Sequence, residues 1–248
     1  MFIIPMAGEG SRFKKSGFDI LKPRIKLFDK SLFFWSMRSF LKYFNEKFVF
    51  ITLQEHDLKN FIIDECSQLN ILNYEIYSLT QKTEGQAETV YKFTNDKKIE
   101  NITIFNIDTL LINYSRPKWF SKVDAYMDCF ISNSSKYSYA KIDKKGNVVD
   151  VAEKKVISNF ASNGLYFFRN SDLFNSGYNK IIDENPGHYV APIYSFLIKE
   201  HYKIKMNLSD NGDNIIIGTP EEYYNCLENI KFKNYAAKLN SLKNKKNR

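Results

Sequence analysis

The sequence predicts an α/β fold with a mixed, mostly parallel central sheet flanked by helices. Short apolar segments alternate with amphipathic helical segments through the first half of the chain. Shorter strand-like segments separated by turn residues follow, and helical periodicity returns towards the C-terminus. The chain has 248 residues, 44 % of them hydrophobic, which is enough for one large domain with a real core.

The first half has the pattern β-α-β-α-β-α-β. Strands are predicted over residues 2–6, 47–53, 73–79 and 101–107, and helices over residues 32–44, 56–69 and 87–93. Such alternation joins parallel strands through right-handed crossovers. A largely parallel sheet is therefore expected within residues 1–112.

The second half predicts a smaller β-rich region attached to this core. Strands are predicted over 125–132, 137–142, 148–153, 161–168, 203–208 and 214–217, and helices over 171–184, 190–200 and from 220 onwards. Neither an internal repeat nor a flexible linker is visible. We therefore expect a single domain over residues 1–230, made of halves 1–112 and 113–230 that share a cleft.

The net charge of +8 is concentrated at the C-terminal end of the chain. Residues 231–248 hold seven lysines and arginines and no acidic residue, so the remaining residues carry only +1. A near-neutral body argues against a nucleic-acid partner. The segment 231–248 is predicted as a basic helix or tail, either solvated or in contact with acidic lipid or nucleic acid.

Cysteine and histidine usage argues against several kinds of site. The three cysteines are odd in number and far apart, which argues against a disulfide or zinc framework and indicates a reducing compartment. The three histidines are also isolated.

No signal peptide or membrane span is visible, so we expect a cytoplasmic protein. The oligomeric state is not indicated.

A glycine-rich loop follows the first predicted strand and contains Ala7, Gly8, Gly10, Ser11 and Arg12. Small residues let backbone N–H groups approach a polyphosphate, and the arginine supplies a forked cation that matches phosphate oxygens. A phenylalanine stands where a dinucleotide fingerprint needs glycine, and the end of a Walker A loop is missing. A glycine-rich surface turn is the alternative for this loop considered alone.

Ten residues further on, Lys22 precedes Pro23, and a proline favours an extended conformation in the residue before it. An extended Lys22 would hold its ammonium group towards the glycine-rich loop. Together with Arg12 it would stabilise the charge that develops in phosphoryl transfer. An ordinary surface lysine is the alternative.

Two further segments carry polar groups at the ends of predicted strands. Gly85 would let a ligand approach the backbone closely, while Gln86 and Gln81 can hydrogen-bond to the edge of a base. The alternative for this segment is an ordinary helix start. Asp108 ends the strand at 101–107, where α/β sheets bind ligands. Carboxylate and phosphate oxygens are ligands that Mg²⁺ prefers, whereas a turn or helix-capping aspartate is the alternative.

The motifs GEGSRF and LKPRIKLFDKSLF resemble the N-terminal signature of the sugar-phosphate nucleotidyltransferases, which have a GT-A-like Rossmann core. The family pattern is G-x-G-[ST]-R-[FL], followed by K-P-x-x-P-[LIV]-x-x-K-P. Lys26 and Ser31 replace two prolines of the second element, whereas Lys22 is kept. The resemblance covers residues 1–229 and implies that Asp108 binds the metal and that Gly85 and Gln86 contact the base.

The segments YAKID at 139–143, AEKK at 152–155 and HYVAPIY at 188–194 resemble a branch of bacterial capsule and cell-surface nucleotidyltransferases. This resemblance implies that Lys154, supported by Glu153, seats the phosphate of the acceptor. Asn163 and Gly164 are then expected to line the acceptor pocket, to which Tyr189 also contributes. Considered without the family resemblance, the charged segment at 153–155 would be interpreted as the solvent-facing end of a strand.

One departure from the family concerns the metal. The family has a second metal-binding aspartate in a D-[IV]-G-T-P-E element, and Ile216 stands in its place. We therefore expect Asp108, the triphosphate and water to hold Mg²⁺, with Mn²⁺ as an alternative ion. Asp213 or Asp210 would be the substitutes for the missing carboxylate.

The resemblance implies a metal-dependent nucleotidyltransferase in which an acceptor phosphate attacks the α-phosphorus of a nucleoside triphosphate and releases pyrophosphate. Within the branch it implies CTP as the nucleotide and phosphoglutamine as the acceptor, for capsule or surface polysaccharide. The alternatives are a hexose-1-phosphate nucleotidyltransferase, a phosphocholine-type cytidylyltransferase and a non-catalytic nucleotide-binding protein. A GT-A glycosyltransferase is a further alternative, although the chain lacks its D-x-D motif at residues 108–110.

Overall fold

The computed structural model describes residues 1–246 of the chain. The strands are β1 (Phe2–Pro5), β2 (Lys26–Leu27), β3 (Lys30–Ser31), β4 (Phe48–Leu53), β5 (Tyr74–Leu79), β6 (Glu100–Phe105), β7 (Thr109–Leu111), β8 (Ala125–Ile131), β9 (Ser138–Ile142), β10 (Val148–Glu153), β11 (Phe160–Asn170), β12 (Ile204–Leu208) and β13 (Asn214–Ile216). The helices are α1 (Ser11–Lys14), α2 (Leu32–Arg38), α3 (Lys59–Leu69), α4 (Gln86–Thr94), α5 (Ser171–Ile181), α6 (Ala191–Lys199), α7 (Pro220–Glu228) and α8 (Ile230–Lys246).

Nine of these strands form one central sheet, which continues through both halves of the chain. Its order is β10-β9-β11-β6-β1-β4-β5, with β8 paired to β11 and β12 paired to β8. Strands β6, β1, β4 and β5 are parallel, while β11 runs antiparallel to β6 and joins the second half of the chain to the first. The predicted α/β fold with a mixed, largely parallel sheet is confirmed. The boundaries at residues 112 and 230 stay predictions.

The core lies on both faces of this sheet, because its central strands are covered on both sides. Along β1, Phe2 and Ile4 face one apolar cluster and Ile3 faces the other, as the two-residue period of a strand requires. Strands buried on both faces read as unbroken apolar runs. That is why the central strands were predictable from sequence.

Several boundaries differ from the sequence prediction. The helix expected over residues 32–44 ends at Arg38, and a 3₁₀ turn follows over Leu41–Tyr43. Between them, the Ser39 hydroxyl accepts a hydrogen bond from the backbone N–H of Leu111 at 2.8 Å. The β2–β3 hairpin and β7 were not predicted, because each of these strands has only two or three residues, whereas β13 lies within the strand predicted at 214–217.

The predicted basic segment begins within α8. Phe232 is fully buried against the Trp35 ring, so the start of this helix packs on the core. Residues 247 and 248 of the predicted basic segment lie outside the described residues. Among residues 1–246, no helix combines the length and the apolar composition needed to cross a bilayer.

Replacing Phe40 by alanine is expected to lower the free energy of unfolding by about 3–5 kcal/mol. The Phe40 ring is fully buried and lies 4.4 Å from the Phe2 ring and 4.8 Å from the Phe105 ring, measured between centroids. Leu41→Ala is the control, because Leu41 is 50 % exposed and its loss should change stability by about 0.5 kcal/mol or less. Urea denaturation of both variants measures this, and equal losses would contradict the packing described.

Candidate active site

A cleft of about 570 Å³ opens where β1 and β6 end, between the two halves of the chain. Ligands bind beyond the carboxyl ends of the parallel strands in sheets of this type. All predicted site residues except Gln81 line it. They are Ala7, Gly8, Gly10, Ser11, Arg12, Lys22, Gly85, Gln86, Asp108, Glu153, Lys154, Asn163, Gly164 and Tyr189. Gln81 is exposed and lies outside this lining, so its proposed contact with a base stays a prediction.

The glycine-rich loop turns sharply at Gly10, which adopts the left-handed conformation with φ 65°. A Cβ atom at this position would also lie 3.3 Å from the Cβ of Lys22. Glycine therefore serves the turn and the close approach at once. The next turn, α1, exposes Arg12 towards the cleft and buries Phe13 against the core, which fixes the direction of the loop.

Lys22 and Asp108 form an ion pair inside the cleft. The Lys22 Nζ lies 2.5 Å from Asp108 Oδ2 and 3.4 Å from the carbonyl oxygen of Gly218, and both charged side chains are less than one-fifth exposed. Lys22 is not extended, so that prediction is wrong: it begins a 3₁₀ turn over Lys22–Arg24. The turn is closed by a hydrogen bond from Arg24 N–H to the Leu21 carbonyl, and Leu21 takes the extended conformation instead.

The surroundings of Asp108 fit a hard divalent cation. A Cβ atom on Gly218 would lie 3.3 Å from Asp108 Oδ2, so the glycine keeps a space open beside the carboxylate. Carboxylate oxygen, together with phosphate and water, is the ligand set that Mg²⁺ takes. Within residues 1–246 no group of three or more histidine, cysteine, aspartate or glutamate residues is placed to hold a metal ion.

Asp210 and Asp213 do not replace the aspartate that Ile216 displaces, so that expectation is wrong. Both pair with Lys231, at 3.8 Å and 2.7 Å, and border a separate cavity of about 190 Å³. Ile216 itself lines the main cleft and pairs with Thr109 in the β13–β7 ladder.

The loop before α4 is held against the segment 187–189, and both line the cleft. The Ala87 N–H donates to the His188 carbonyl oxygen at 2.7 Å. A Cβ atom at Gly85 would lie only 2.1 Å from the Gly187 carbonyl oxygen, so this contact requires glycine. Gln86 donates through Nε2 to Asn106 Oδ1 at 2.5 Å, which brings two amide groups together at the edge of the cleft.

The part of the cleft that is predicted to bind the acceptor contains a lysine and a mostly buried carboxylate. Lys154 has the left-handed φ of 54°, which is uncommon for a side chain of this kind, and its Nζ contacts the Tyr189 hydroxyl. Burial raises the pKa of the Glu153 carboxyl, while a hydrogen bond from the Ser138 hydroxyl and the charge of Lys154 oppose that shift. Asn185 holds Tyr189 by donating to its carbonyl oxygen at 2.8 Å.

A bulge in β11 shapes the floor of the cleft. Its register shifts between Ser162 and Tyr166, and Gly164 adopts φ 90° there. A Cβ atom at Gly164 would lie 2.3 Å from Asn106 Nδ2, so only glycine allows this approach. Bulges of this kind re-aim the strand next to a site.

The side-chain amide of Asn163 takes part in a buried hydrogen-bond network. It donates to Asp128 Oδ1 at 2.6 Å and to Asn214 Oδ1 at 2.8 Å, and the residue is only 2 % exposed. Burial raises the pKa of Asp128, and hydrogen bonds from Ser209, Asn207 and Asn163 counter that shift. Asn163 therefore borders the cleft while its side-chain amide supports the strand beneath.

Several lining residues were not among the predicted site residues, and Asn106, Tyr137 and Glu222 are three of those with polar side chains. Asn106 lies two residues before Asp108, and Glu222 directly follows the GTPE segment, so proximity to motifs was the available signal. The Tyr137 hydroxyl donates to Glu222 Oε1 at 2.9 Å across 85 residues of sequence. No local pattern marks such a pair.

A protein-family model described as Nucleotidyl transferase matches residues 2–189, which is most of the chain. The chain belongs to this family. The predicted resemblance is thus confirmed at the level of the family, and the protein is an enzyme of the nucleotidyltransferase kind. No curated protein matches the sequence.

Solved structures agree with this assignment. The nucleoside-diphosphate-sugar pyrophosphorylase from Vibrio cholerae RC9 is 32 % identical, with a TM-score of 0.84 over 92 % of this nucleotidyltransferase and 100 % of that chain. The inositol-1-phosphate CTP transferase from T. maritima has a TM-score of 0.71 over 93 % of this chain and 95 % of its own. At 13 % identity the second likeness shows the fold alone.

Gly85→Ala is expected to destabilise this nucleotidyltransferase by about 1–3 kcal/mol, because the added Cβ would overlap the Gly187 carbonyl oxygen. Gly8→Ala is the matched control for stability, since a Cβ there would meet no atom within 4 Å. Urea denaturation of both variants provides the comparison. Equal stabilities for the two would show that the loop before α4 is not held against the segment 187–189.

Proposed function

We propose that this nucleotidyltransferase transfers a nucleotidyl group from a nucleoside triphosphate, CTP in particular, to the phosphate of a small acceptor, with release of pyrophosphate. The observation that carries the proposal is the distribution of charge in one cleft. Arg12 and Lys22 line it on the side of the glycine-rich loop, and Lys154 lines it on the side of the acceptor region. Cations on two sides of a cleft suit a pair of substrates that each carry phosphate.

The chemistry needs little from the protein beyond position and charge. An acceptor phosphate is already an anionic nucleophile near neutral pH, so no general base is required. Its oxygen forms the new bond to the α-phosphorus while the bond to the bridging oxygen of pyrophosphate breaks. Preorganised cations would stabilise the charge that develops on the phosphoryl oxygens.

The family resemblance suggests the residue roles, and the common position of these residues in one cleft supports them. The backbone of the glycine-rich loop and Arg12 would hold the β- and γ-phosphates, while Lys22 would neutralise the α-phosphoryl group. Asp108 would hold Mg²⁺ or Mn²⁺, which supplies positive charge to the phosphate oxygens. Lys154 would seat the acceptor phosphate.

Base and acceptor would be recognised by different groups that line the same cleft. The paired amides of Gln86 and Asn106 offer hydrogen-bonding groups to a base edge, beside the close backbone approach at Gly85. On the acceptor side, Glu153 and Tyr189 border the position assigned to the second phosphate. A carboxylate there accepts hydrogen bonds from hydroxyl, amide or ammonium groups of the acceptor.

The specific acceptor we propose is phosphoglutamine, for capsule or surface polysaccharide. The motifs at 139–143, 152–155 and 188–194 support this proposal. A hexose 1-phosphate is the second candidate, because the 32 % identical relative is described as a nucleoside-diphosphate-sugar pyrophosphorylase.

Pyrophosphate release tests both candidates directly. The purified chain with Mg²⁺ is incubated with each of the four common nucleoside triphosphates and with phosphoglutamine, phosphocholine or a hexose 1-phosphate. We expect the fastest release with CTP and phosphoglutamine. Preference for a hexose 1-phosphate would replace the first candidate by the second, and no release from any pair would contradict the proposed reaction.

Lys22→Ala is expected to lower turnover by about 10²–10³-fold, equivalent to about 2.7–4 kcal/mol of transition-state stabilisation. Lys26→Ala is the control, because Lys26 is exposed on β2 and lies outside the cleft lining. Initial rates at saturating substrate measure the effect, and circular dichroism checks that both variants fold. Full turnover by the Lys22 variant would refute its assignment to the α-phosphoryl group.

A further inference from the structure

We infer that Glu222 is the second carboxylate ligand of the metal ion in this chain. In this chain Ile216 stands at the position of the family's second metal-binding aspartate. Glu222, on α7, would supply the missing carboxylate instead. The inference rests on the proposed function, because that reaction uses the metal.

The geometry around Gly218 carries the inference. A Cβ atom at Gly218 would lie 3.2 Å from Glu222 Oε2 and 3.3 Å from Asp108 Oδ2. The two carboxylate oxygens therefore border the same space and are no farther apart than the sum of these distances. They come from segments 114 residues apart in sequence. Glycine leaves this space open, and any other residue would place a side-chain atom in it.

A cation already lies at the border of this space. The Lys22 ammonium contacts Asp108 Oδ2 at 2.5 Å and lies 3.4 Å from the Gly218 carbonyl oxygen. The surroundings of Gly218 thus present oxygen atoms to a positive charge. Mg²⁺ and Mn²⁺ are bound by such oxygens, with phosphate and water completing the coordination.

The carboxylate of Glu222 is held in place by two hydroxyl groups. Tyr137 donates to Oε1 at 2.9 Å, and the Thr219 hydroxyl donates to Oε2 at 3.1 Å. Both donors are neutral hydroxyl groups, so these bonds orient the carboxylate without forming an ion pair with it. The neighbouring Glu221 differs, because it faces outwards and pairs with Lys136 at 2.6 Å.

A purely structural role for Glu222 is the competing explanation. Glu222 is the third residue of α7, and Thr219 caps that helix by accepting from the Glu222 N–H at 3.2 Å. Such a capping box accounts for a glutamate at this position. It does not account for the position of Glu222 Oε2 and Asp108 Oδ2 beside the same space at Gly218.

Mn²⁺ binding to the full chain, followed by electron paramagnetic resonance, separates these explanations. The titration is run on the protein alone and again with CTP, using wild type, Glu222→Gln, Asp108→Asn and Glu221→Gln. Glutamine keeps the size and the acceptor oxygen of Glu222 but removes its charge. We expect Glu222→Gln to weaken Mn²⁺ binding by at least roughly tenfold, the lower limit for losing a group that supports a metal site. Melting temperatures check that the variants remain folded.

The Glu221 variant is the matched control, because it removes a carboxylate from the same helical turn outside the cleft lining. It should bind Mn²⁺ as wild type does, and Asp108→Asn should lose binding. Equal Mn²⁺ affinities for the Glu222 and Glu221 variants would overturn the inference. So would a wild-type protein that binds no Mn²⁺ with or without CTP.

Failure of the proposed reaction remains distinguishable from failure of this assignment. If no pyrophosphate forms with any substrate pair but Glu222→Gln still loses Mn²⁺, the metal ligand is supported and the reaction is refuted. If pyrophosphate forms and Glu222→Gln binds Mn²⁺ normally, the reaction is supported and the ligand assignment is refuted.

Discussion

The ion pair between Lys22 and Asp108 joins three distant parts of the chain at the centre of the cleft. It links the segment after the glycine-rich loop to the turn after β6, and its ammonium also approaches the carbonyl of Gly218. Both charges are mostly shielded from water, so removing either one would leave the other poorly compensated. Gly10 and Gly218 lack side chains where the chain must come closest to this pair. The same interaction therefore fixes the relative positions of the groups assigned to phosphate and metal.

The side of the cleft that contains Lys154 and Glu153 has two features that cost stability when Glu153 is ionised. Lys154 keeps a left-handed backbone conformation, and burial raises the pKa of Glu153. A carboxyl with a raised pKa binds its proton more tightly in the folded state than in the unfolded one. Its contribution to stability is therefore greatest below the unfolded value of 4.5 and declines as pH rises through the folded pKa. Burial of Glu153 therefore disfavours its ionised form, while the Ser138 hydroxyl and the charge of Lys154 favour it.

The sequence predicted the elements that depend on local residue patterns, but not the features that depend on contacts between distant residues. The central parallel strands were predictable because burial on both faces makes each an apolar run. The end of α2 was not, because it depends on the hydroxyl of Ser39 reaching the backbone of Leu111. In the site, the order of the short motifs predicted which loops line the same cleft. The contact between Tyr137 and Glu222 joins residues 85 positions apart, and no local pattern predicts it. The conformation of Lys22 was predicted wrongly because the preference that Pro23 imposes was outweighed by the hydrogen bonds of a turn.

The replacement of a strand carboxylate by one on a helix has a physical reason in the surroundings of the two positions. Ile216 packs against an apolar cluster that contains Phe130 and Tyr139, where a charged side chain would lose hydration. Glu222 lies in the first turn of α7, where the N–H groups of the helix favour negative charge. Two hydroxyl donors already orient its carboxylate towards the space beside Gly218. A carboxylate at this helix start therefore has hydroxyl partners, while an isoleucine at 216 gains apolar contact and Glu222 still lines the cleft.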